Sequence, residues 1–205
     1  MALYSNRQLR IVATICVASV FLIGSSLPAG ADKGDEASKE KQALAESGPK
    51  VGATIHPFFV RAVTGPHRNR SVCYVCRYGS RPVVMVVMQK VDPKIGSLLT
   101  ELDTVIDKNR VSGLRGFGVL VTDESSRAVP ILQTMAFDEK IHMPLTAATT
   151  AIAGSGSHNL HPEAATTIIL YRGQKAVESI PLKAGRINEK EVSRIRDRVT
   201  RFVRK

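Results

Sequence analysis

Residues 165–204, ATTIILYRGQKAVESIPLKAGRINEKEVSRIRDRVTRFVR, decide the fold. They open on Ala165-Thr-Thr-Ile-Ile-Leu-Tyr171, a near-continuous β-branched and apolar run. Such a run suits a central strand covered on both faces. Arg172-Gly-Gln-Lys175 reads as a tight turn and residues 176–182 as the returning strand of a hairpin. Asn188 then caps a final helix, with Glu189 and Glu191 in its first turn and Arg204 and Lys205 in its last. The helix dipole favours that placement. Val192, Ile195, Val199, Phe202 and Val203 form its inward stripe.

Working upstream, residues 82–88 (PVVMVVM) form a second run of the fully buried kind. Asp92 caps a helix whose first position is Pro93. Ile95, Leu98, Leu99, Leu102, Val105 and Ile106 recur along one face of it. Residues 116–121 are another central strand. Residues 127–141 are a second helix, with Pro130 in its first turn and Ile131, Leu132, Met135 and Ala136 facing inward. Residues 143–149 are a short strand or loop, and residues 152–162, rich in Gly, Ser and His, are a loop. Ahead of these lie a short strand at 58–63, a polar loop at 64–70 and Cys73-Tyr-Val-Cys76. The order is therefore β, a loop bearing CxxC, then β-α-β-α-β-β-α. No internal repeat is visible.

The chain has 205 residues, 43% of them hydrophobic and 23% charged, which excludes disorder throughout and allows a core without metal or disulfide support. Lys and Arg total 29 against 18 acids, a balance that permits anionic partners without naming one. Arg7 and Arg10 followed by an uncharged stretch at 11–27, Pro28 and Ala29-Gly-Ala31 read as a secretory signal peptide. Residues 1–31 are thus expected to be the signal, 32–50 a flexible tether, and 51–205 the folded domain. The protein is expected to be exported, periplasmic or extracellular. The tether holds four lysines and five acids, so the positive charge belongs to the domain. Export and the lack of Trp exclude a nucleic-acid partner. Cleavage removes Cys16 and leaves Cys73 and Cys76, which that compartment favours as a disulfide.

The β-α-β unit followed by β-β-α resembles the thioredoxin fold over residues 53–205, an α/β architecture with a central mixed sheet flanked by helices. The most specific part is the ending already quoted. The chain is also similar to exported bacterial thioredoxin-like proteins whose CxxC precedes the first central strand. The residues carrying that likeness are Val63-Thr-Gly-Pro66, Cys73-Tyr-Val-Cys-Arg-Tyr-Gly79 and Arg81-Pro-Val-Val84. Thioredoxins place the CxxC after that strand, where this chain has Met88-Gln-Lys-Val91. Their cis-proline position falls here on Ala165, where a trans bond is expected.

The resemblance implies thiol–disulfide exchange or redox sensing with a protein thiol or disulfide partner. By analogy Cys73 attacks and Cys76 resolves, with Arg70, Arg77, Arg81 and His67 favouring the thiolate. The alternative is a non-enzymatic binding module with a structural disulfide. A copper or zinc variant would need completing ligands from His56, His67, His142, His158 or His161, none of them paired with the CxxC in sequence. No cofactor and no metal site is expected: residue 77 is Arg, which rules out haem attachment, and residues 154–157 lack the GK[ST] of a phosphate loop. Arg194, Arg196, Arg198, Arg201, Arg204 and Lys205 give the last helix a basic face, a candidate contact for an anionic envelope or membrane surface.

Overall fold

The computed structural model describes residue 38 and residues 42–154 and 158–204. The expected signal peptide and Lys205 lie outside the described residues. In chain order the elements are β1 (Val60–Ala62), β2 (Ser71–Val72), α1 (Tyr74–Tyr78), β3 (Pro82–Met88), α2 (Ile95–Lys108), β4 (Arg115–Val121), α3 (Ser125–Asp138), β5 (Leu145–Ala148), a 3-10 turn (Thr150–Ala153), β6 (Thr166–Arg172), β7 (Lys175–Leu182) and α4 (Glu189–Arg204). They build one seven-stranded sheet in the order β2-β1-β5-β4-β3-β6-β7.

The two apolar runs read as central strands lie beside each other. β3 pairs antiparallel with β6, Met85 opposite Ile169, and parallel with β4, Met85 opposite Phe117. β5 continues the parallel run beyond β4, with Gly118 opposite Leu145. The two successive crossovers, β3-α2-β4 and β4-α3-β5, put both helices on one face of the sheet, where α2 and α3 share one apolar cluster, as the right-handed rule for such connections requires. α4 packs beside α2 on that face, where Ile195, Val199 and Phe202 join Leu98, Leu102, Ile106 and the strand residues Val84, Val86, Ile168 and Leu170 in one apolar cluster. Gly116 makes the close fit possible, because a Cβ there would collide with the tip of Ile106.

Alternate residues of the same strands point the other way. Val83, Met85, Val87, Phe117, Val119, Ile169 and Tyr171 form a second cluster, covered not by long helices but by the segment leading into β3. Ile55, Val60, Val72, Cys73, Tyr74 and Val75 supply that cover. Strands with two buried faces are what the unbroken runs at 82–88 and 165–171 predict.

Three boundaries differ from expectation. α3 begins two residues earlier and ends three residues earlier than 127–141. Lys140 at φ 53° stops it, and the amides of Lys140 and Ile141 donate back to the carbonyls of Phe137 and Ala136. Those two bonds are a Schellman ending, here built on a lysine rather than the usual glycine. Within α3 Ala128 and Leu132 are buried and Met135 and Ala136 pack against the core, as expected, whereas Ile131, expected to face inward, is 41% exposed. Asp92 does not cap α2 directly; its carboxylate accepts from the Lys94 amide at 2.9 Å and the Gly185 amide at 2.6 Å, tying the start of α2 to the β7–α4 connection. The end of the expected tether is also packed. Ser47 is buried, its Oγ accepts from the His161 amide at 2.8 Å, and the Pro49 carbonyl accepts from Ser179 Oγ at 2.8 Å.

Candidate functional site: a disulfide over the second core

The CxxC stretch, expected as loop, opens a short helix. Cys73 is the N-cap of α1, in extended backbone, and its Sγ accepts a hydrogen bond from the Cys76 amide at 3.1 Å. Gly79 closes α1 with φ 56°, a left-handed conformation that glycine adopts without penalty. The helix turn brings the two cysteines to a Cα–Cα distance of 5.3 Å, and they form a disulfide.

The two sulfurs belong to different environments. Cys73 is 6% exposed and sits in the second apolar cluster, whereas Cys76 is exposed. That is the reverse of the accessibility implied by the analogy, which makes Cys73 the attacking residue. The cause is local. β2 delivers Cys73 from the sheet edge, and the next two residues, Tyr74 and Val75, are both buried against the strands. One turn later the chain has rotated outward, and Cys76 and Arg77 face solvent.

Beneath the disulfide lies a bed of aromatic rings. Tyr74 stacks on Phe117 of β4 at 5.1 Å and contacts Tyr78 at 5.4 Å. His67 approaches Tyr74 with ring centroids 6.2 Å apart. Tyr78 donates its hydroxyl to the Gly116 carbonyl at 3.3 Å. Burial raises the pKa of Tyr74, Tyr78 and Tyr171, so these phenols stay protonated near neutral pH. Arg77 opposes that rise at both Tyr74 and Tyr78, and Arg110 and Arg115 oppose it at Tyr78. Sequence reading did not find Phe117, Tyr171, Arg110 or Arg115 as neighbours of the CxxC, and no local signal could have found residues brought in by other elements.

The expected tuning residues surround this turn. Arg70, Arg77 and Arg81 are exposed and His67 is half-buried. None of the four forms an ion pair among the described residues.

The position that thioredoxins give to their dithiol is filled differently. After β3 comes Gln89, whose Nε2 donates to the carbonyls of His161 and Ala164 at 2.9 and 2.8 Å. The backbone amides of Gln89 and Lys90 both donate to the Ala165 carbonyl. The peptide bond into Ala165 is trans, as expected. The Gln89 side chain and the Gln89 and Lys90 backbone are thereby locked to the loop before β6, and neither residue is a cysteine.

The expected histidine ligands do not join the cysteines. Among the described residues, the one cluster with metal-ligating geometry is Asp103, Asp107 and His142, whose ligand atoms lie within 4.8 Å of one another. Its members already have partners: the buried Asp103 carboxylate accepts from the amides of His142 and Met143 at 2.7 and 2.8 Å, and Asp107 pairs with Arg110. This is a clamp between α2 and the segment before β5. His158 is buried, with Nδ1 3.1 Å from the Ile152 carbonyl and its ring edge-on to Phe58. His161 Nδ1 accepts from the Glu163 amide. The basic face of α4 is partly neutralised: Arg194 pairs with Glu191, Arg196 with Glu101 and Asp197, and Arg198 with Glu178.

No family model matches the chain, and no curated protein matches it. Solved structures do. The chain is similar to a Bacteroides thetaiotaomicron protein proposed to be a protein disulfide isomerase, with a TM-score of 0.59 at 12% identity, covering 78% of this chain and 94% of that one. It is similar to a secreted Mycobacterium tuberculosis disulfide oxidoreductase homologous to E. coli DsbE (TM-score 0.52, 10% identity, 80% and 97% covered). It is also similar to a DsbF homologue from Corynebacterium diphtheriae (TM-score 0.54, 17% identity, 72% and 87% covered). With that likeness, the β-α-β and β-β-α halves on one sheet and a disulfide of CxxC spacing, the chain has a thioredoxin-like fold.

Proposed function

We propose that the protein is an exported thiol–disulfide exchange or redox-sensing protein that works through Cys73 and Cys76, with a protein thiol or disulfide as its partner. The observation that carries this is the asymmetry of the pair. Cys76 is open to a partner, while the Cys73 sulfur receives the Cys76 amide hydrogen and is shielded from water. The hydrogen bond favours negative charge on the departing Cys73 sulfur while its burial opposes it, so it is access that selects the sulfur to be attacked. Cys76 is then the sulfur a partner's thiolate attacks, and Cys73 is the leaving group. In the opposite direction Cys73 closes the ring on a partner held at Cys76. This inverts the roles the thioredoxin analogy implies.

Export rests on the signal pattern at 1–31 and agrees with the secreted neighbour. Among the described residues no helix is long and apolar enough to cross a membrane. An anionic envelope surface is the second partner class, through Arg201 and Arg204 of α4, which lack an ion pair among the described residues.

A structural bridge is the competing reading, favoured by the burial of Cys73 and by Gln89 and Lys90 standing where thioredoxins have their cysteines after β3. Equilibrating the protein from Asp32 onward in thiol buffers, then alkylating and weighing it, separates the two. A reduction potential above about −270 mV is expected for a working couple; one below about −300 mV marks a structural disulfide and ends the exchange proposal.

A further inference from the structure

From Ser47 to Val91 the chain contains no Asp or Glu, and it carries Lys50, Arg61, Arg68, Arg70, Arg77, Arg81 and Lys90. This stretch builds the whole approach to the disulfide: β1, the loop before β2, α1 and the turn into β3. Arg61, Arg68, Arg70, Arg77 and Arg81 are all exposed, and none has an ion pair among the described residues. α4 is the contrast, since there three arginines are matched by Glu101, Glu178, Glu191 and Asp197. Arg115 of β4 adds a further cation, acting on the Tyr78 hydroxyl alongside Arg77, whereas Arg110 beside it is paired with Asp107. A rim of one sign, left unneutralised around an exposed sulfur, selects the charge of whatever approaches it.

We propose that the thiol partner of the Cys73–Cys76 disulfide bears negative charge beside its sulfur. This rests on the exchange reading above and names its substrate class. In the step, the partner's thiolate attacks Cys76 Sγ; a partner–Cys76 disulfide forms, the Cys73–Cys76 bond breaks, and Cys73 departs as a thiolate. A second partner thiolate attacks the partner sulfur of the mixed disulfide and releases Cys76. Two electrons pass to the protein, two partner thiols become one disulfide, and the two cysteines take up protons according to pH. The cationic rim attracts the incoming anion, holds the doubly charged encounter together and stabilises the departing Cys73 thiolate.

The test compares three small thiols as reductants of the protein from Asp32 onward: 2-mercaptoethanesulfonate, 2-mercaptoethanol and cysteamine. Rate constants are expressed per thiolate and corrected for the rise of thiolate nucleophilicity with thiol pKa (Brønsted slope about 0.4–0.5), so that both effects of thiol acidity drop out. At about 10 mM ionic strength, where the Debye length is about 30 Å, the sulfonate should react at least about tenfold faster than cysteamine. At about 1 M salt, where screening acts over about 3 Å, the ratio should fall toward one. Arg77→Gln and Arg81→Gln should each slow the sulfonate about threefold and speed cysteamine about threefold at low salt, the effect of a unit charge at a separation of about 6 Å in water, so that the ratio falls about tenfold. Lys190→Gln, on α4 across the sheet, should leave the ratio unchanged. Equal per-thiolate rates for all three thiols, or a ratio indifferent to salt, overturn the charge proposal while leaving exchange intact. Failure of all three to reduce the disulfide overturns exchange itself. An acidic-rimmed protein thiol and a small anionic thiol share this chemistry. Saturation of the rate with a Glu-flanked cysteine peptide, absent with the sulfonate, would identify the protein source.

Discussion

Cys73 and Cys76 show how far three residues can change a side chain's role. Both are cysteines of one motif, but one is built into a core and the other faces solvent. Tyr74 and Tyr171 carry the opposite lesson. Their hydroxyls are buried with no hydrogen-bond partner among the described residues. An unsatisfied buried hydroxyl costs about 1–3 kcal/mol, so removing it is cheap. Tyr171→Phe should therefore leave stability unchanged or raise it by up to about 1 kcal/mol, read from urea unfolding; a clear loss would reveal a partner for that oxygen. His158 makes stability depend on pH. Burial pushes its pKa below the ordinary histidine value, against the hydrogen bond to Ile152 that raises it. The unfolded chain then binds a proton more readily than the folded one, so stability is complete above about pH 6.5 and falls as the pH drops below it, by at most about 1.4 kcal/mol per pH unit. Unfolding midpoints measured from pH 7.5 to 5 should show this slope, and His158→Gln should flatten it.

At the scale of elements, the helices depend on a few buried carboxylates. Asp103 lies on the inner side of α2 and holds the amides of two residues from the chain entering β5. Asp103→Ala strands both amides and should cost about 3 kcal/mol. His142→Ala should cost under about 1 kcal/mol, because that side chain is 73% exposed and its pairing is screened by water. Chemical denaturation of the two variants checks the ordering, and equal losses would show that the ring and not the backbone clamp matters. Local sequence marked the helices well where a cap or stripe was explicit. Asn188 Oδ1 accepts from the Glu191 amide at 3.0 Å, the bond expected of that cap. α3 had no such marker at its end, and a lysine in the left-handed region closed it instead.

At the scale of the molecule, the sheet separates two cores, and the disulfide belongs to the one that the long helices leave open. The thioredoxin arrangement puts its dithiol at the end of β3. Here that end is a hydrogen-bonded junction of Gln89 and Lys90 with residues 161–165, and the cysteines have moved to the covering segment. The disulfide-bearing turn on this cover is positioned by packing beneath it rather than by the dipole of a long helix, since α1 has five residues. On the exchange proposal, the exposed arginines of residues 61–81 take the electrostatic part that a longer helix would otherwise contribute.

What the sequence determined by itself is the sheet and its order of elements. Unbroken apolar runs at 82–88 and 165–171 require two covered faces, and a helical stripe such as Ile95–Ile106 has one face to bury, so the β-α-β and β-β-α units follow from local periodicity. The identity of the cysteine pair and its basic neighbours was equally plain. Tertiary structure alone decided which sulfur faces solvent, which rings lie under it, and that Ser47 and Pro49 dock on the sheet rather than trail as tether. Exposure and contact depend on residues 40 to 120 positions away, such as Phe117 under Tyr74 and Thr167 beside Ser47. No window of local sequence contains both partners of such a contact.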